Sequence, residues 1–159
     1  MELFSKKVPL TSGDAAHLRE VLRLFSEELS DTYDYSLLAM RAAAAFPAAA
    51  RLFDELARVE LAHLSQLGQY LLRYGLTPMP RFSPRRAYHG ASFSGEAPTA
   101  LEAVLTSRIK EEREGASTYK RLADGLQGAK GARLFERIAT EEEEHATAIE
   151  GLLSRMRQS

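Results

Sequence analysis

The 159-residue chain contains no cysteine. That absence excludes disulfides, thiolate zinc sites and iron–sulfur clusters, so any metal chemistry must rest on oxygen and nitrogen donors. Long hydrophobic runs are missing as well: no stretch approaches the roughly 18 apolar residues of a membrane span. Met1 to Leu10 has two lysines but no apolar block of the kind that directs secretion. Nor is there an excess of charge of one sign. With 21 basic and 22 acidic side chains and a formal net charge of −1, nothing favours nucleic acid or an anionic membrane as a partner. These absences together lead us to expect a cytoplasmic protein with no nucleic-acid and no membrane partner. What remains, 45% hydrophobic and 27% charged residues, is ordinary for a globular chain. The length suits one domain with a sizeable core.

Proline and glycine gather at a few places, and the segments between them carry a helical period. Thr11, Ser12 and Asp14 offer N-capping side chains. Helix 1 then runs to about Ala44 on a stripe of Leu18, Val21, Phe25, Glu28, Thr32, Tyr35 and Ala39. Pro47 suits the first turn of helix 2, which continues to about Tyr74 and stops at Gly75, a left-handed cap residue. Pro78, Pro80, Pro84 and Gly90 fall in residues 76–97, which show no helical period and read as a loop. Thr99 and Glu102 form a capping box for helix 3. Its stripe is Leu105, Ile109, Glu112, Ala116, Tyr119, Ala123 and Leu126. Gly125, Gly128 and Gly131 mark a turn, and helix 4 follows from about Ala132 to Met156.

Short links make helices 1–2 and 3–4 antiparallel hairpins. The middle link, fully extended, reaches about 70 Å, more than the roughly 42 Å of a 28-residue helix. It can therefore cross the bundle and start helix 3 parallel to helix 2. The expectation is a single all-α domain over residues 1–159: an N-terminal tail at 1–10, then a four-helix bundle with a long crossover at 76–97.

Two polar interruptions of the apolar stripes stand out. Glu60 and His63 break the helix 2 stripe of Phe53, Leu56, Leu67, Tyr70 and Tyr74. Glu142 and His145 break the helix 4 stripe of Phe135, Ile138, Ile149, Leu152 and Met156. Residues three apart share a helix face, so each Glu-x-x-His aims a carboxylate and an imidazole at one point. Each hairpin also supplies an earlier stripe glutamate with a tyrosine seven residues, about two turns, further on: Glu28 with Tyr35 and Glu112 with Tyr119. The chain is thus an internal repeat that delivers Glu, Tyr and Glu-x-x-His in the same order twice. Buried carboxylates need partners, and a metal ion satisfies several at once. Tyr35 and Tyr119 are the catalytic candidates, read as hydrogen-bond donors to ligand carboxylates, the bland alternative being space-filling core. Glu27, Glu111, Glu114, Glu141, Glu143 and Glu144 fall off the stripes and are assigned to solvent. His17 and His89 are assigned to the surface. Arg81, Arg85 and Arg86, interleaved with Phe82 and Tyr88, form a basic patch that reads as a solvated loop, with docking of an acidic electron-transfer partner as the sharper alternative.

The set Glu28, Glu60, His63, Glu112, Glu142 and His145 resembles the di-metal carboxylate site of the rubrerythrin family, within the ferritin-like superfamily. The similarity runs from about Asp14 to Met156. The resemblance implies a ferritin-like bundle in which Glu60 and Glu142 bridge two metals, Glu28 and Glu112 are terminal ligands, and His63 and His145 each cap one metal. It implies two iron ions, with manganese or zinc also suited to the donors. The implied activity is reduction of hydrogen peroxide or oxygen with electrons from an external electron-donor protein, in a homodimer. The alternatives are a ferroxidase that handles iron, or a structural bundle with a zinc-filled or inactive site. Two departures from the family pattern matter. The cysteine-ligated rubredoxin-like domain has no counterpart here, and Gly115 stands where the family has a further helix 3 glutamate. Asp31, at the matching offset on helix 1, is the substitute that pseudosymmetry offers.

Overall fold

The computed structural model describes residues 14–79, 98–126 and 130–158. They form α1 (Asp14–Ala42), α2 (Pro47–Arg73), α3 (Pro98–Gly125) and α4 (Lys130–Gln158), with no strand among the described residues. The expected 1–10 tail, the basic patch at Arg81–Arg86, Tyr88 and His89 lie outside them.

Helix ends follow the local chemistry. Pro47 occupies the first turn of α2, where a missing N–H loses no intrahelical bond. At the other end Gly75 has φ 74°. Its N–H reaches the Leu72 carbonyl at 2.9 Å, and the Leu76 N–H reaches Leu71 at 3.1 Å. This is the paired bonding of a Schellman cap, which only a left-handed residue closes without strain. α1 stops at Ala42, two residues before the expected end, because residues 43–45 turn the chain and the Phe46 N–H bonds the Ala42 carbonyl at 2.8 Å. α3 starts at Pro98, so Thr99 sits inside the first turn rather than at the cap. α4 begins at Lys130, which places Gly131 in its first turn. A Cβ on Gly131 would meet Tyr70 Cε2 at 2.9 Å, so glycine lets α4 approach α2 there.

The core divides into two apolar clusters with a polar layer between them. One contains Tyr35, Leu38, Phe53, Leu56, Leu105, Ile109 and Ile149. The other contains Val21, Leu24, Leu67, Tyr70, Tyr119, Phe135 and Ile138. Membership gives the direction of each helix. α1 enters at the second cluster and leaves at the first; α2 runs the opposite way. α3 runs from Leu105 and Ile109 to Tyr119, parallel to α2, and α4 returns from Phe135 to Ile149. α1 packs on α2, α3 on α4, and α2 also meets α4. Parallel α2 and α3 place the end of α2 at Arg73 and the start of α3 at Pro98 at opposite ends of the bundle. The result is the expected four-helix bundle of ferritin-like type. Each helix passes its glutamate through the mid-plane, between apolar residues of the two clusters.

Candidate metal centre

In that mid-plane the six sequence-selected donors come together, every one buried. They fall into two groups, each with donor atoms within 4.8 Å of one another. Glu28, Glu60, His63 and Glu142 make one; Glu60, Glu112, Glu142 and His145 make the other. Glu60 and Glu142 belong to both. The imidazoles lie nearly parallel, with ring centroids 5.9 Å apart and planes at 25°.

Glu60 spans the groups through its two oxygens. Oε2 is 3.2 Å from His63 Nδ1, and Oε1 is 3.0 Å from His145 Nδ1. His63 Nδ1 also faces Glu142 Oε1 at 3.1 Å and Glu28 Oε2 at 3.4 Å. His145 Nδ1 lies 3.2 Å from Glu112 Oε2 as well. A ring nitrogen carries at most one hydrogen. Five carboxylate oxygens therefore share two N–H groups. With those hydrogens given to Glu60 Oε2 and Glu112 Oε2, Glu28 Oε2, Glu60 Oε1 and Glu142 Oε1 are buried without a hydrogen-bond partner.

The electrostatics follow from this crowding. Burial, and then the charge of Glu60, pushes Glu28 and Glu142 well above the usual carboxylate range. Burial acts on Glu60 in the same direction, but hydrogen bonds from His145, His63 and Glu28 outweigh it and hold Glu60 below that range. Burial disfavours charge on His145, yet Glu112 and Glu60 raise its pKa to about 10. His63 is raised still further by Glu142, Glu28 and Glu60 against the same penalty. The cluster thus holds protons more tightly than isolated groups of the same kinds would. The residues fit a pair of metal ions: two overlapping oxygen–nitrogen groups, with surplus acceptor atoms pointing inward.

Both tyrosines reach the cluster from opposite apolar ends. Tyr35 donates its hydroxyl hydrogen to Glu112 Oε1, and Tyr119 donates to Glu28 Oε1. Burial raises the pKa of each phenol, so both remain donors at neutral pH.

Three further residues take part that the sequence reading placed elsewhere or passed over. Glu141 was assigned to solvent, but its Oε2 sits 2.7 Å from His63 Nε2, and Arg137 Nε lies 3.9 Å from its other oxygen. His145 has no equivalent, because the corresponding α2 position is Val59. Arg108 is 1% exposed. Its Nη2 donates to Asp31 Oδ1 at 2.8 Å, its Nη1 donates to Glu111 Oε2 at 2.6 Å, and its guanidinium carbon lies 4.0 Å from the Tyr35 ring centroid. Asp31 is therefore an Arg108 partner and belongs to neither donor group. Glu111, also assigned to solvent, belongs to the same pairing. His17 is half-buried rather than a free surface group: its Nε2 is 2.9 Å from the Tyr70 hydroxyl.

Fold and site together define a ferritin-like four-helix bundle with a carboxylate–histidine centre suited to two metals. Residues 103–159 match the family model named Rubrerythrin, and over that stretch the chain is similar to rubrerythrins. Its fold is similar to a solved dodecameric thioferritin, the bacterioferritin-related protein from Bacteroides fragilis. The TM-score is 0.72 at 21% identity, over 90% of this chain and 87% of that one. No curated protein matches the chain. No described helix is long and apolar enough to cross a membrane.

Proposed function

We propose that this protein is a di-iron carboxylate oxidoreductase that reduces hydrogen peroxide or oxygen with electrons from a separate donor protein. The observation that carries the reading is the set of three buried carboxylate oxygens left over once His63 and His145 have given their single Nδ1 hydrogens. Two cations would satisfy all of them. In this reading Glu60 and Glu142, which belong to both donor groups, would serve both metals, while Glu28 with His63 would hold one and Glu112 with His145 the other. Four carboxylates and two neutral imidazoles suit iron, and also manganese or zinc. A pair of irons supplies two electrons together, the number needed with two protons to convert hydrogen peroxide into two waters. The chain's own residues do the rest. Tyr35 and Tyr119 would fix the terminal carboxylates, and the two apolar clusters close the centre off along the bundle on either side of the mid-plane. Exposed Tyr33 and Met40 lie two turns apart on α1, and exposed Leu61 and Leu72 three turns apart on α2. They support self-association, with a homodimer as the smallest assembly.

A second reading, an iron-handling ferroxidase, is favoured by the likeness to a thioferritin and by an acidic cleft over the centre. One experiment addresses the centre itself: anaerobic ferrous reconstitution of wild type and of a His63→Ala/His145→Ala variant. The expected result is about two irons per wild-type chain and fewer than one in the variant. Equal loading of the two removes the proposal. Stopped-flow reoxidation by peroxide and by oxygen then tests the activity, and slow reaction with both counts against an oxidoreductase. A large shell holding an iron mineral favours storage.

A further inference from the structure

Every donor of the centre is buried, so a cation needs an opening to reach it. The packing provides one beside Gly115. A Cβ there would lie 2.8 Å from Glu142 Oε2, closer than side-chain atoms tolerate, and glycine leaves that carboxylate facing a cleft. The cleft has a volume of about 290 Å³. At roughly 30 Å³ per water it holds about nine or ten waters, room for a divalent cation carrying about six. Seven carboxylates line it against one arginine, Arg23. Glu27 and Glu114 are its exposed rim, with side chains 39% and 66% accessible. Glu28 and Glu142 form its buried floor, at 4% and 6% exposure. Behind that floor Glu28 Oε2 and Glu142 Oε1 face His63 and have no hydrogen-bond partner, so the cation acceptors lie one carboxylate's width beyond the inner end of the cleft. Two other cavities, one beside Tyr70 and Arg137 and one beside Glu20 and Arg121, touch none of the six donors and carry arginines.

We propose that the cleft over Gly115 is the inlet through which a divalent cation reaches the buried carboxylates, with Glu27 and Glu114 steering it inward and Arg23 opposing it. This rests on the di-metal reading above. Arg23 is ion-paired to Glu27, and to Glu20 at 2.6 Å, so it masks part of the rim. Steering by such charges acts on association rate and fades with salt.

The test is stopped-flow uptake of cobalt(II) by metal-free protein, followed by its visible absorption at low and at high salt. Glu27→Gln/Glu114→Gln should slow uptake about three- to tenfold at low salt, and Arg23→Gln should speed it about two- to threefold. Both differences should vanish near ~0.5 M salt, and every variant should finish at the wild-type stoichiometry. Glu55→Gln/Glu136→Gln changes net charge equally but lies outside the cleft, and it should leave the rate unchanged. Opposite signs for the rim and Arg23 variants are not what general damage produces. Equal low-salt rates for all proteins, or equal slowing by the control pair, overturn the inlet while the bound cobalt leaves the centre standing. A wild type that binds no cobalt overturns the centre and the inlet together.

Discussion

The two halves of the centre differ behind their histidines, and that difference predicts unequal metal affinities. His63 Nε2 has Glu141 at 2.7 Å; the pseudosymmetric partner for His145 would be residue 59, a valine. A carboxylate on the far ring nitrogen fixes the tautomer and makes the metal-facing nitrogen more basic. Its loss typically lowers metal affinity about 10- to 100-fold. The Glu141 side chain is 32% exposed, so water already weakens its field, and the lower part of the range applies. Glu141→Gln should therefore weaken the His63 group about 10- to 30-fold, or roughly 1.4–2 kcal/mol. The assay is competition against a chromophoric chelator in two backgrounds. With His145→Ala only the His63 group retains its imidazole, and Glu141→Gln should show the full loss. With His63→Ala it should change affinity less than about twofold, since additivity holds only where the partner is absent. Equal losses in the two backgrounds, or none in either, would refute the argument that Glu141 acts through His63.

Arg108 and His17 give two further predictions. Arg108→Met leaves Asp31 and Glu111 without their guanidinium. Their side chains are 16% and 23% exposed, so the loss should sit at or below the low end of the buried-pair range, about 2–3 kcal/mol. For a chain of this size that is a fall in Tm of roughly 5–10 °C; Arg108→Lys should recover part of it, and a fall under about 2 °C would contradict the pairing. Burial lowers the pKa of His17 below its ordinary 6.5, with Asp14 opposing. The unfolded chain thus binds more protons near and below that pH, and stability should decline as pH falls from about 7 to 5. Urea unfolding across this range should show a shallower decline for His17→Gln, and identical pH profiles would refute it.

Much of this site is legible in the sequence because a helix sorts its residues by a period that ignores everything outside the helix. Glu60, His63, Glu142 and His145 interrupt apolar stripes at three- and four-residue steps, and that alone marks them as indoor groups. Glu28 and Glu112 are marked the same way, with Tyr35 and Tyr119 two turns on. The same period under-reads α1, where Leu24 and Leu38 are buried beside the expected stripe because the helix sinks a wider face. Glu141 shows where local reasoning stops. It adjoins Glu142 in a run of four glutamates, and only the rotation of α4 against α2 decides that it meets His63. Asp31 is likewise fixed by the register of α1 on α3, whereas Glu111 pairs with Arg108 within α3, three residues along the same helix. Arg108 did leave a trace: it lies four residues before Glu112, on the α3 stripe between Leu105 and Glu112. A charge on a stripe is the signal that exposed the glutamates, and it applies equally to an arginine.

Without a bound cation the centre would be a local conflict that the remainder of the fold has to sustain. Each buried carboxylate oxygen without a hydrogen-bond partner costs about 1–3 kcal/mol, and three of them weigh heavily against a net stability of about 5–15 kcal/mol. Replacing the six donors with hydrocarbon would relieve that cost, as buried ion clusters elsewhere show, so stability of the empty bundle does not explain them. The cluster is explained only by something that binds there. Binding must compete with protons, which burial and crowding make Glu28 and Glu142 hold more tightly than ordinary carboxylates, and which the surrounding carboxylates make both imidazoles hold more tightly than a free histidine. The gain must therefore exceed the proton competition as well as ordinary hydration of the ligand. A pair of divalent cations would meet that demand, because the two donor groups overlap at Glu60 and Glu142 and each could hold one ion.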